Sequence, residues 1–100
     1  MELKIRNELF AKIANGKKKS TSRLGIRDVK PGDPIKFVAN DDEKRVYETT
    51  VENVKVCAFA DITDEDARME GYASLNEMEQ SLRDVYDFDE QSIFTLIQFR

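Results

Sequence analysis

The chain has no histidine, no tryptophan, one cysteine, two prolines and four glycines in 100 residues. Without histidine, every catalytic arrangement that uses imidazole as its base is excluded. With Cys57 alone, so are an intrachain disulfide and the usual His/Cys zinc sites. A metal would have to be held by carboxylates only, and the acids Asp61, Asp64, Glu65 and Asp66 lack the EF-hand register and its glycine. They read as loop and helix-start charges, favourable near a helix N-terminus. No metal and no cofactor is expected. No apolar run approaches the roughly 20 residues that span a membrane, and Met1-Glu2-Leu3-Lys4 lacks the apolar stretch of a signal peptide. No membrane association and cytoplasmic residence are the expectations.

What the chain does have is charge: 40% of its residues are hydrophobic and 36% charged, the balance of a globular domain with a modest core. The net charge of −4 argues against non-specific coating of polyphosphate, since such binding scales with the phosphates neutralised. The average hides a gradient. Residues 1–30 carry nine Lys/Arg and three Asp/Glu, giving +6; residues 31–60 carry four and six, giving −2; residues 61–100 carry three and eleven, giving −8.

The periodicity predicts an α+β chain. Leu9, Phe10, Ile13 and Ala14 fall at helical spacing after Asn7, a candidate N-cap, and Asn15-Gly16 stops the helix. Lys30-Pro31-Gly32-Asp33 reads as a tight turn into a strand from Pro34 to Ala39. Asn40 to Glu43 is a polar turn. The stretch from Arg45 to Phe59 is long for one strand, and Glu52-Asn53 is the expected place for a bend, bulge or hairpin turn. Its second half alternates, with Val54, Val56 and Ala58 on the face expected to be buried. Thr63, with Asp66 three residues on, starts one short helix. Ser74 to Glu77 is a capping box, and Leu75, Met78, Leu82 and Val85 give a second helix an apolar stripe whose other face is acidic. Ser92 to Phe99 is the strongest apolar strand and is expected at the centre of the sheet. With no regular βαβ alternation, the sheet is expected to be mostly antiparallel or a small barrel.

The chemistry concentrates in Gly16-Lys17-Lys18-Lys19-Ser20-Thr21-Ser22-Arg23. A lysine run is ordinarily a solvated loop. If residues 19–23 are extended, Lys19, Thr21 and Arg23 share one face and Ser20 and Ser22 the other; Lys18 converges with Thr21 only from a turn before the strand. Gly16, Lys18, Thr21 and Arg23 fit the pattern Gly-x-Lys-x-x-Thr-x-Arg. With Gly32-Asp33-x-Ile35-x-Phe37, with Asp66-Ala67-x-x-Glu70-Gly71-Tyr72 and with the closing strand to Phe99, the chain resembles ASCH domains, relatives of the PUA fold.

The resemblance spans nearly the whole chain and implies one domain over residues 1–100, a small, mostly antiparallel PUA-like β-barrel with flanking helices. ASCH domains have been regarded as RNA-binding modules, so the leading expectation is a cleft that recognises a nucleotide or a short RNA element. The alternative comes from a branch of small members that hydrolyse N4-acetylcytidine to cytidine and acetate, in which a Lys, a Thr and a Glu are catalytic. Those roles fall on Lys18, Thr21 and Glu70, with Gly16, Lys17, Lys19, Arg23 and Tyr72 as candidate ligand-binding residues. Leu24 follows Arg23 where those hydrolases place an acid. A third reading is a protein-interaction module acting through the acidic C-terminal helix.

In the hydrolytic reading Thr21 must be deprotonated to attack, so Lys18 must be neutral as it acts. Burial and neighbouring cations favour neutral lysine, and a nearby Glu70 opposes it. Tyr72, Tyr47 and Phe59 are candidates to stack on a base. Cys57, in an alternating strand, reads as an inert buried thiol.

Overall fold

Residues 93–99 are apolar in both parities, and the computed structural model, which describes residues 1–100, shows why. Strand β5 (Ile93–Phe99) is covered on both faces: Phe94 and Leu96 enter one hydrophobic cluster, Ile97 and Phe99 another. A strand covered on both sides loses the alternation of a half-solvated one.

The other strands are β1 (Glu2–Ile5), β2 (Ser20–Leu24), β3 (Pro34–Ala39) and β4 (Asp42–Ala58), and the helices are α1 (Asn7–Ala14), α2 (Asp64–Met69) and α3 (Leu75–Arg83). A short 3-10 turn at Phe59–Asp61 follows β4. The strand order is β1-β3-β4-β5-β2, with only the β1–β3 pair parallel. The result is an α+β fold, a five-stranded sheet curled into a half-barrel. β5 has a strand on each side, but the middle place belongs to β4. No helix is long and apolar enough to cross a membrane.

The curl comes from β4. Its first part pairs with β3 through Thr50, and its second with β5 from Val51 onward, the register shifting between Val51 and Asn53. Glu52 is thus the extra residue of a bulge, and such a residue bends a strand and increases its twist. One continuous strand, with no hairpin turn, serves two halves of the sheet.

Inside the curl, Phe10 and Ile13 of α1 pack with Ile35, Phe37, Val51, Ile97 and Phe99. On the other side, Met78 and Leu82 of α3 and Ala67 of α2 cover Phe59, Phe94 and Leu96. Phe59 is buried there, and Tyr47 packs, partly buried, against the first cluster.

Several local expectations need correction. β1 was not anticipated: its burial alternates, with Leu3 and Ile5 inward and Glu2 and Lys4 outward, but four residues are too short a run to stand out as a strand. The N-cap of α1 is Arg6, without a side-chain cap, because the Asn7 carboxamide oxygen instead accepts the Asp41 N–H across the β3–β4 turn. Thr63 and Asp66 complete a reciprocal capping box on α2. Ser74 accepts the Glu77 N–H, but the return bond is replaced by Asp64, whose carboxylate accepts the Leu75 N–H. Val56 is 49% exposed, while Cys57 packs against the second cluster and Lys55 pairs with Asp66. The helix-covered face of β4 is therefore the one carrying Lys55 and Cys57. Burial pushes the Cys57 thiol above its ordinary pKa. Val85 lies beyond the end of α3 and is 61% exposed.

Candidate functional site

The half-barrel does not close, since β1 and β2, the two ends of the strand order, do not pair with each other. Edge strands normally leave a row of unpaired backbone groups. Here two of the β2 carbonyls are taken by cations: Lys18 Nζ donates to Ser20 O at 2.7 Å, and Arg23 Nη1 donates to Ser22 O at 2.8 Å. A cleft of about 220 Å³ occupies the seam. Lys4 and Arg6 line it from the β1 side, Lys18, Thr21, Ser22 and Arg23 from the β2 side, and Glu70, Tyr72, Val85 and Tyr86 across the helical wall.

Each polar group arrives by a local device. Asn15-Gly16 ends α1, with Gly16 at φ +82°, and the chain turns so that Lys18 precedes β2 and escapes its alternation. Glu70 is the C-cap of α2, followed at once by Gly71 at φ +89°. That glycine is required by its backbone conformation and lies close to two lysine side chains. An L side chain is strained in this conformation, and a Cβ would sit 3.1 Å from Lys12 Cδ and 3.5 Å from Lys18 Cβ. Lys12 Nζ also donates to Gly71 O at 2.8 Å, tying α1 to the same turn. Gly71→Ala is expected to cost about 1–2 kcal/mol from backbone strain alone. Urea melts will register this as a lower midpoint with unchanged slope; an unaltered midpoint refutes the backbone strain at this position.

Lys18 and Glu70 are each only 2% exposed. Lys18 Nζ lies 3.6 Å from Glu70 Oε1 and also donates to Glu70 O at 3.5 Å. Burial pulls the Lys18 pKa down to about 8; Glu70 opposes that fall, and Arg23 and Lys12 add to it. The Ser22 hydroxyl donates to the other carboxylate oxygen, Glu70 Oε2. Thr21, also 2% exposed, accepts from Arg23 Nη1 at 2.8 Å. Burial lowers the Arg23 pKa as well, though it stays charged. Burial raises the Tyr72 phenol, which donates to Ser81 Oγ at 2.9 Å.

Five of the eight site residues anticipated from sequence therefore meet at one cleft: Lys18, Thr21, Arg23, Glu70 and Tyr72. Gly16, Lys17 and Lys19 lie elsewhere, around a separate surface depression with Arg68 and Glu65. The strand parity held for Thr21 and Arg23, whereas Ser22 was missed. Strand alternation assigns Ser22 to the face away from Thr21, but at an unpaired seam both faces of β2 reach the cleft. Leu24 packs against the second hydrophobic cluster, so the position after Arg23 turns away from the cleft. Arg6 and Ser81, joined at 2.6 Å, were also missed, having no motif signal.

The fold and this cleft define a PUA-like α+β domain with a buried Lys/Glu pair, and the ASCH domain family model matches residues 1–100. The chain belongs to the ASCH domain family. Among solved structures it is similar to an ASCH domain from Lactobacillus crispatus, at 17% identity and TM-score 0.83, over 99% of this chain and 78% of that one. It is similar to an ASCH protein from Zymomonas mobilis, at 20% identity and TM-score 0.76, over 99% of this chain and 65% of that one. A hypothetical protein, PH0355, aligns at 25% identity and TM-score 0.75, over 99% and 95%. No curated protein matches the chain.

Proposed function

We propose that the cleft binds a single nucleoside unit and hydrolyses an amide on its base, with N4-acetylcytidine as the substrate implied by the family resemblance. The observation that carries this reading is the state of Lys18. A buried lysine with a pKa near about 8, facing a carboxylate and lining the same cleft as a buried threonine, is poised for proton transfer. A surface that only held phosphates would keep its lysines solvated and fully charged.

Neutral Lys18 takes the Thr21 hydroxyl proton as Thr21 Oγ1 attacks the acetyl carbon. Arg23, already donating to that oxygen, stabilises negative charge on it and leaves fewer orientations open to the hydroxyl proton. The adduct collapses as protonated Lys18 returns its proton to the departing N4 amine, releasing cytidine. Water then attacks the acetyl-threonine, its proton passing through the Lys18/Glu70 pair, and acetate leaves as the Thr21 hydroxyl is restored. Ser22 holds the second Glu70 oxygen, so the carboxylate keeps one oxygen toward Lys18. Leu9, Val85 and Tyr86 supply apolar wall for a base.

The cleft is smaller than the roughly 300–1,000 Å³ of drug-sized sites, which favours one nucleoside over a longer strand. Incubation with N4-acetylcytidine followed by chromatography tests the proposal. Cytidine and acetate in equal amounts are expected. If cytidine binds but the acetylated compound is never cleaved, the protein is a recognition module and the hydrolytic reading fails.

A further inference from the structure

The charged lining of the cleft is lopsided in a way that amide hydrolysis does not require. Four cations line it, Lys4, Arg6, Lys18 and Arg23, against one carboxylate, Glu70, in a chain whose net charge is −4. Glu70 is already committed to Lys18 and Ser22. Arg23 has no ion pair: its Nη1 serves Thr21 and Ser22, while its Nε and Nη2 make no hydrogen bond within the protein. Guanidinium groups in such half-buried positions are ordinarily paired with a carboxylate or phosphate. Arg6 stands opposite, at the start of α1, where no side chain caps the helix and the dipole adds partial positive charge. Its one ion-pair contact, to Glu8, is 3.8 Å long and solvent-exposed, so it is weak. Lys4 makes no ion pair.

We infer that the cleft takes its nucleoside as a phosphate monoester, the phosphate lying against the free edge of Arg23 with Arg6 and Lys4 on the facing wall. This rests on the nucleoside reading above and narrows it from a nucleoside to a nucleotide. Planar, two-donor recognition of phosphate is what the free Nε/Nη2 edge of Arg23 offers, whereas Lys4 contributes a point charge. The same cations also discriminate against a neutral ligand, since unmatched charges in a confined cleft gain nothing from it.

Calorimetric titration of the intact protein with cytidine, cytidine 5′-monophosphate, cytidine 3′-monophosphate and inorganic phosphate tests this. At least one monophosphate is expected to bind about ten- to a hundredfold more tightly than cytidine, the range for a charge-assisted hydrogen bond or two. Inorganic phosphate should compete with it, and the preference should collapse in Arg23→Met and shrink in Arg6→Gln. Equal affinity for cytidine and both monophosphates overturns the inference, as does a preference that survives both substitutions. The wild-type comparison decides even if Arg23→Met fails to fold. Acetate release from N4-acetylcytidine and its 5′-monophosphate is scored separately. No acetate from either sinks the hydrolytic reading, and the binding isotherms still judge the phosphate.

Discussion

Lys18→Met is expected to lower kcat on N4-acetylcytidine by about a hundredfold to ten-thousandfold, the range for losing a positioned general base. Methionine keeps the length and fills the buried volume, so no cavity forms, and a denaturation midpoint measured beside the rate separates loss of the amine from loss of fold caused by leaving Glu70 unpaired. The pH profile supplies the sharper signature. Only neutral Lys18 can accept the Thr21 proton, and its amine titrates near about 8. Activity of the wild-type protein should therefore climb as pH rises through that value and level off above it. Lys18→Met should abolish the climb along with the rate. A wild-type profile that is flat from pH 6 to 9, or a variant that retains most of its rate, removes Lys18 from the base role.

Glu70→Gln is expected to destabilise the fold by about 3–5 kcal/mol at pH 7, the cost of leaving one member of a buried ion pair without its partner. Glutamine preserves the shape and can still accept from Ser22, so the loss falls on Lys18. The sign of the pH dependence follows from the lowered lysine. In the wild-type protein Lys18 releases its proton near about 8 when folded but near 10.5 when unfolded. Within that window the unfolded chain binds the extra proton, so stability rises with pH, by about 1.4 kcal/mol per pH unit at most. Above the window's lower edge Lys18 is already neutral and has less to lose with the carboxylate. The cost of Glu70→Gln should therefore shrink between pH 7 and 9.5. Replacing both residues, as Lys18→Met with Glu70→Gln, should recover much of the loss, because no buried charge remains. Chemical denaturation of the wild-type protein and the two variants at both pH values settles this. A cost that is the same at pH 7 and 9.5 would show that the pair is not what the fold feels.

The residues that were legible in sequence are those whose role is set by nearby chain. Pro34 to Ala39 is bounded by a proline-glycine turn and a polar turn, and β3 has those limits. Glu52 interrupts a long β-prone stretch, and the bulge falls there. Thr63 and Asp66 signal α2 because a capping box is complete within four residues. Lys18, Thr21 and Glu70 were grouped by the resemblance to ASCH domains, although Glu70 is 52 residues from Lys18 and only the fold brings their charges to 3.6 Å. What was illegible depends on distant partners. Asn7 gave up its cap to Asp41, and Val56 lost its burial because the helices cover the opposite face of β4. Ser22 and Arg6 belong to the cleft because two strands fail to meet, a fact that no local pattern encodes. Gly16, Lys17 and Lys19 share the motif with Lys18, yet only Lys18 turns inward, since proximity in sequence does not survive the turn after α1.

The open seam between β1 and β2 has a consequence for how copies of this chain behave in a crowded solution. Two bare strand edges side by side are a template on which a foreign strand can add, the usual start of β-aggregation. Lys18 and Arg23 occupy Ser20 O and Ser22 O, the acceptors such a strand would need, while Lys4 and Arg6 place charge along the facing edge. The cations that line the cleft thus also act as gatekeepers, and a chain stripped of them would exchange a charged seam for an adhesive one.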